Sequence, residues 1–176
     1  MNFEIIDNIF QVTVFLLVTV GDIICWFSKK DRLYIILALA HSCFVMGTLY
    51  FVLHLAIRGI VPQVFYVAEI SWISCYLFLH SYQIARYKKY KMHWRLIPVL
   101  CAAGFAVIAM LSNIFGPALL STGAFSLTGS AIVYVGVYQL LYGKGPHKTT
   151  ICLLLCVILQ VTLYLSSFLF TDYTKF

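Results

Sequence analysis

The sequence predicts an all-α, polytopic membrane fold: a bundle of six transmembrane helices with both termini outside. Three observations carry this expectation. Only 10% of the 176 residues are charged while 62% are hydrophobic, whereas a soluble domain carries roughly a quarter charged residues. The apolar residues gather into runs of about 20, the length needed to cross a ~30 Å hydrocarbon core as a helix. The Lys and Arg residues fall almost entirely in alternate connections between those runs.

In chain order, the expected spans are Ile5–Phe27, Leu33–Ala56, Val61–Ile84, Leu96–Phe115, Ala118–Tyr142 and Thr149–Phe170. None alternates polar and apolar residues as barrel strands do, so helices are the spanning form. The first span opens with Met1-Asn2-Phe3-Glu4 rather than a basic segment and has no small-residue cleavage site. It reads as a retained helix and not as a signal peptide. The fourth and fifth spans are separated only by the Gly116-Pro117 pair, which breaks a helix on steric grounds. Residues 1–176 then form one six-helix transmembrane domain, with no room for a soluble domain.

Charge sets the expected orientation. The connections near 28–32, 86–95 and 143–148 hold Lys29, Lys30 and Arg32, then Arg86, Lys88, Lys89, Lys91 and Arg95, then Lys144 and Lys148. Only Arg58 and Lys175 fall on the other side. The positive-inside rule places those three loops in the cytoplasm of a cell-membrane protein. The net charge of +6 thus reflects topology and contact with membrane lipids, not nucleic-acid binding; basic residues near a leaflet surface attract anionic headgroups by ~1 kcal/mol each. The six cysteines all lie within spans, none in a CxxC pair, so no metal site is expected from them.

Ionisable groups inside a span are costly and mark functional candidates. On the first span, Asn8, Gln11 and Asp22 share one helical face. Glu69, Trp72, Tyr76, His80 and Gln83 form a polar stripe along the third. Such a stripe must turn inward, towards other helices or a wet cavity. Asp22, His41 and His80 come to similar depth in the cytoplasmic half and are the candidate catalytic set, suited to acid–base chemistry. Glu69 and His54 occupy the outer half. Glu69, Trp72, Tyr76, Ser126 and Ser130 are the candidate substrate-binding residues. Thr122, Ser126 and Ser130 repeat every four residues, which suits either close helix packing or a cavity wall. A haem held by His41 and His80 would need small residues around the ring, which the sequence does not supply. No serine-hydrolase elbow or phosphate-binding glycine loop is present, and the cofactor is left unknown.

Val20-Gly21-Asp22-Ile23-Ile24, the short basic loop, and Arg32-Leu33-Tyr34 opening a span that carries His41 together resemble the YhhN-like lysoplasmalogenase family of multi-pass membrane proteins. The segment Gly123-Ala124-Phe125-Ser126-Leu127-Thr128-Gly129-Ser130-Ala131 is similar to a later Gly-Ala-x-x-Phe-x-x-Ser-Asp segment of that family, with Ala131 at the acidic position. The resemblance implies hydrolysis of the vinyl-ether bond of a lysolipid, with Asp22 as acid or base assisted by His41 or His80; the family's second carboxylate is missing at Ala131, and Glu69 is the residue on another helix to substitute for it. Two other functions fit the same polar spans. A transporter or substrate-binding membrane subunit would depend on Glu69 for uptake. A sensor, immunity or assembly protein would use its stripes only to pack helices, and the small-residue face of the fifth span would suit a homo-oligomer.

Overall fold

The computed structural model describes residues 3–59, 66–87, 92–111, 119–143 and 147–169. The described residues form six α-helices and no strand: α1 (Phe3–Lys29), α2 (Arg32–Arg58), α3 (Tyr66–Tyr87), α4 (Leu96–Leu111), α5 (Leu119–Tyr142) and α6 (Lys148–Leu169). Each helix overlaps one expected span. The Gly116-Pro117 break, the start of the third span and the connections at 88–91 and 144–146 lie outside the described residues.

Three helices are long and apolar enough to cross a membrane: Ile5–Lys29, Arg32–Arg58 and Leu120–Tyr142. Leu96–Leu111 and Lys148–Thr162 are apolar but shorter. α3 has the length, at 22 residues, but Glu69, His80, Gln83 and Arg86 lower its apolar character. The polar stripe is what separates it from its neighbours.

The chain divides into two compact units, the first ending at Tyr82 and the second beginning at Gln83, so the boundary falls within α3. In the first unit α1 packs on α2 across a two-residue turn, Lys30-Asp31. Lys30 takes a left-handed conformation (φ 53°), and its N–H closes the end of α1 on Trp26 O at 2.8 Å. Asp31 caps α2, its carboxylate accepting from Leu33 N at 3.0 Å. An N-cap carboxylate satisfies a backbone donor that the helix itself leaves open. A turn this short forces α1 and α2 to run antiparallel as a hairpin.

α3 meets α2 through small groups. A Cβ built on Gly47 would stand 2.8 Å from Trp72 Nε1 and 3.0 Å from the Ala68 carbonyl oxygen. Thr48, 1% exposed, accepts a hydrogen bond from Trp72 Nε1 at 3.4 Å.

In the second unit α5 packs on both α4 and α6. Gly129 receives the Phe105 ring of α4, and Gly136 receives Leu154 of α6; a Cβ at either would stand within 2.7 Å of those side chains. Ser126 donates its hydroxyl to Ala106 O of α4 at 3.0 Å. At the end of α3, Gln83 donates to Ile132 O of α5 at 3.3 Å, and the Tyr87 hydroxyl pairs with that of Thr150 on α6. Ile132, Val157, Gln83, Gln139 and Thr150 are fully buried here. Small residues let these helices approach, and interhelical hydrogen bonds fasten them.

Candidate functional site

Asp22 and His41 come together. Counted from the turn, Asp22 lies seven residues before Lys29 and His41 nine residues after Arg32. At ~1.5 Å per residue both sit about 10–14 Å along the hairpin from its closed end. His41 Nδ1 and Asp22 Oδ2 are 2.7 Å apart, with the His41 and Asp22 side chains 19% and 14% exposed. The pair is enclosed without being sealed. The distance is that of a charge-assisted hydrogen bond. With Nδ1 occupied by the carboxylate, Nε2 is the ring nitrogen left to give or take a proton.

Apolar rings wall this pair. Phe15 of α1 lies 5.8 Å from the His41 ring and 4.3 Å from the Phe44 ring, centroid to centroid. Phe15 stands seven residues before Asp22 and Phe44 three after His41, which puts each on the same helical face as its polar neighbour. Sequence reasoning passed over both because a phenylalanine in an apolar run is ordinary. The 3.6-residue spacing from Asp22 and His41 was the available signal. Gly21, next to Asp22 in α1, has open space where a Cβ would stand.

His80, the third member of the expected catalytic set, is half-buried on α3, with its Nδ1 fully covered. It belongs to the same unit as the Asp22–His41 pair.

The candidate binding residues separate by unit. Glu69, Trp72 and Tyr76 lie on α3 in the first, Ser126 and Ser130 on α5 in the second. Glu69 is half-buried in the first turn of α3, and its Oε2 is fully covered without a hydrogen-bond partner. His54, expected like Glu69 in the outer half, lies against Tyr50, ring centroids 6.2 Å apart. Trp72 is anchored by Thr48 and Gly47. Tyr76, one turn further along, is half-buried.

Hydroxyls along the helices are largely satisfied within the protein. Ser130 donates to Ser126 O at 2.6 Å and Thr128 to Ala124 O at 2.9 Å. Ser71, Ser74 and Ser81 on α3, and Thr13 and Thr19 on α1, likewise donate to carbonyls four residues earlier. Backbone carbonyls accept these protons with no need of water or ligand. Gln11, expected on the Asp22 face, donates to Asp7 at 2.8 Å within α1. Among the described residues no three His, Cys, Asp or Glu side chains group closely enough to hold a metal ion.

The basic ends carry aromatic partners. Lys29 donates to the Tyr34 hydroxyl at 2.9 Å and lies 5.1 Å from that ring's centroid. Lys30 lies 5.5 Å from the Phe27 ring, and Arg95 lies 5.2 Å from the Tyr142 ring, with Trp94 exposed beside it. Aromatic and basic side chains gathered at helix ends are the composition of a membrane–water interface.

No protein-family model matches the chain, and neither a curated protein nor a solved structure is found to be similar to it.

Proposed function

We propose that this protein is a six-span cell-membrane hydrolase that cleaves the vinyl-ether bond of a lysolipid. Asp22 and His41 are its acid–base pair, and both chain termini lie outside. The observation that carries the reading is the 2.7 Å contact between His41 Nδ1 and Asp22 Oδ2. Two ionisable side chains held together inside apolar helices are costly in hydrocarbon and are retained where they act. The resemblance of the Gly21-Asp22 span and the His41 span to lysoplasmalogenases supplies the substrate class. The alternate basic loops, rimmed by Tyr34, Phe27 and Tyr142, support the orientation with the loops near 28–32, 86–95 and 143–148 in the cytoplasm.

The chemistry needs one proton donor and one water. A proton passes from His41 Nε2 to the vinyl carbon β to the ether oxygen, leaving an oxocarbenium ion. Water adds to that ion and returns a proton to Nε2. The resulting hemiacetal collapses to a fatty aldehyde and a free glycerol hydroxyl, so one water is consumed. Asp22 holds the imidazole through Nδ1 and faces the positive charge on the ring while Nε2 is protonated. The Phe15 and Phe44 rings offer an apolar wall for the chain that becomes the aldehyde.

The test is aldehyde release from a lysoplasmalogen by the protein in nanodiscs. Asp22→Asn and His41→Gln should each lower turnover by about 10²-fold or more, the usual contribution of a positioned acid or base, while the helical content is unchanged. Turnover in Asp22→Asn at the wild-type rate would remove the proposal. His80→Gln measures whether the third ionisable group takes part.

A second reading has its own support. Ser126–Ala106, Gln83–Ile132 and Tyr87–Thr150 all join helices, as expected of an assembly or sensor protein whose polar groups only pack. It predicts loss of stability in Asp22→Ala and no aldehyde from the wild type.

A further inference from the structure

Glu69 poses a separate chemical question. Its Oε2 has no contact with solvent and no hydrogen-bond partner. A carboxylate oxygen removed from water without a partner is unfavourable, so a donor supplied by a ligand would stabilise the position. No described residue supplies one. A metal ion would require further ligands, and no group of three His, Cys, Asp or Glu side chains that could hold one is found among the described residues. Glu69 as a residue is only half-buried, so it is not sealed inside the helix packing.

Two neighbours narrow the ligand's chemistry. Trp72 and Tyr76 follow Glu69 at three and seven residues, on the same face of α3. Trp72 is pinned at its Nε1 edge, which donates to Thr48 and stands against the Cα of Gly47. An indole fixed at one edge presents its remaining surface in a set place. A covered acceptor on the same helix face as two aromatic side chains suits a cation, and an acceptor lacking a hydrogen bond suits a cation that carries N–H groups.

We propose that Glu69, with Trp72 and Tyr76, binds a primary ammonium group. The site is independent of the Asp22–His41 hydrolase reading. The same chemistry is offered by a soluble amine and by the ethanolamine headgroup of a phospholipid, and the experiment separates them.

The full chain is placed in nanodiscs of phosphatidylcholine, and binding of labelled methylammonium is measured by equilibrium dialysis. In parallel, nanodiscs are assembled from equal phosphatidylcholine and phosphatidylethanolamine, and the lipid retained by the protein after detergent extraction is weighed by mass spectrometry. Saturable methylammonium binding at one per chain, weakened at least tenfold in Glu69→Gln, assigns a soluble amine. Enrichment of phosphatidylethanolamine that disappears in Glu69→Gln, without methylammonium binding, assigns the headgroup. Neither signal overturns the proposal. Tetramethylammonium has the charge but no N–H, so it should compete at least tenfold less well than methylammonium; equal competition also overturns the proposal. That comparison uses the wild type alone and holds even if Glu69→Gln fails to fold.

Discussion

Gly47 is the position where the helix contacts are most sharply testable. Replacing it with alanine adds one methyl group where α3 crosses α2. That carbon would stand 2.8 Å from Trp72 Nε1, 2.9 Å from Trp72 Cδ1 and 3.0 Å from the Ala68 carbonyl oxygen. A relaxed contact needs roughly 3.4 Å or more, so the neighbours must withdraw by about half an ångström. The Trp72 ring can turn only by giving up Thr48, and the Ala68 oxygen is backbone, so it moves only if α3 moves. Overpacking of this kind costs about 1–3 kcal/mol, against which alanine recovers about 1 kcal/mol of helix propensity. The expected net effect is a loss of about 0–2 kcal/mol. Gly21 is the internal control. It lies in α1 with open space at the Cβ position, so Gly21→Ala should stabilise by about 0.5–1 kcal/mol. Reversible unfolding in mixed micelles compares the two variants, and the emission of Trp72 reports on the contact. A Gly47→Ala variant as stable as Gly21→Ala, with unshifted emission, would refute the close approach of α3 to α2.

Other outcomes follow from the same contacts. Asp22→Asn keeps an acceptor for His41 and should change stability by less than about 0.5 kcal/mol, whereas Asp22→Ala leaves the imidazole unpartnered and should cost about 1–3 kcal/mol; equal effects in micelle unfolding would show that the 2.7 Å pair is not what holds α1 to α2. Gln83 is fully buried with its Oε1 unpartnered, so Gln83→Leu trades one 3.3 Å bond for relief of an orphan acceptor and should be neutral or stabilising by up to about 2 kcal/mol; a large loss would mean that the amide has a partner such as bound water. Ser126→Ala removes the bond to Ala106 and should cost about 0.6 kcal/mol, the average for interhelical bonds in a membrane, again read by unfolding. For orientation, a cysteine at Lys30 in a cysteine-free chain should resist a membrane-impermeant maleimide applied to intact cells, while one at Arg58 reacts; the reverse pattern would invert the topology.

The helices were legible in the sequence. Their lengths follow from apolar runs, and the end of α1 from the basic Lys29–Lys30 pair; the Asp31 cap and the left-handed Gly59 that ends α2 (φ 69°) are added by the structure. The similar depth of Asp22 and His41 was legible too, because a short connection equates depth with sequence distance from it; the two-residue turn and the contact itself belong to the structure. The fate of the hydroxyls was not. Ser126 and Ser130 have the same residue type and the same helix face, yet one reaches across to α4 and the other bonds to its own helix. The difference depends on whether a neighbouring backbone carbonyl stands opposite, which no spacing along α5 encodes. Likewise Gly47, Gly129 and Gly136 look the same in sequence as Gly21, Gly104 and Gly123. Only the first three have a side chain or carbonyl pressed against the Cα. Local sequence determines helices because their hydrogen bonds close within four residues and their apolar faces are set by a period of 3.6. Partners 20 to 60 residues apart are decided by packing alone. That is why the orphaned oxygen of Glu69, the wall of Phe15 and Phe44, and the anchoring of Trp72 emerged only from the tertiary structure.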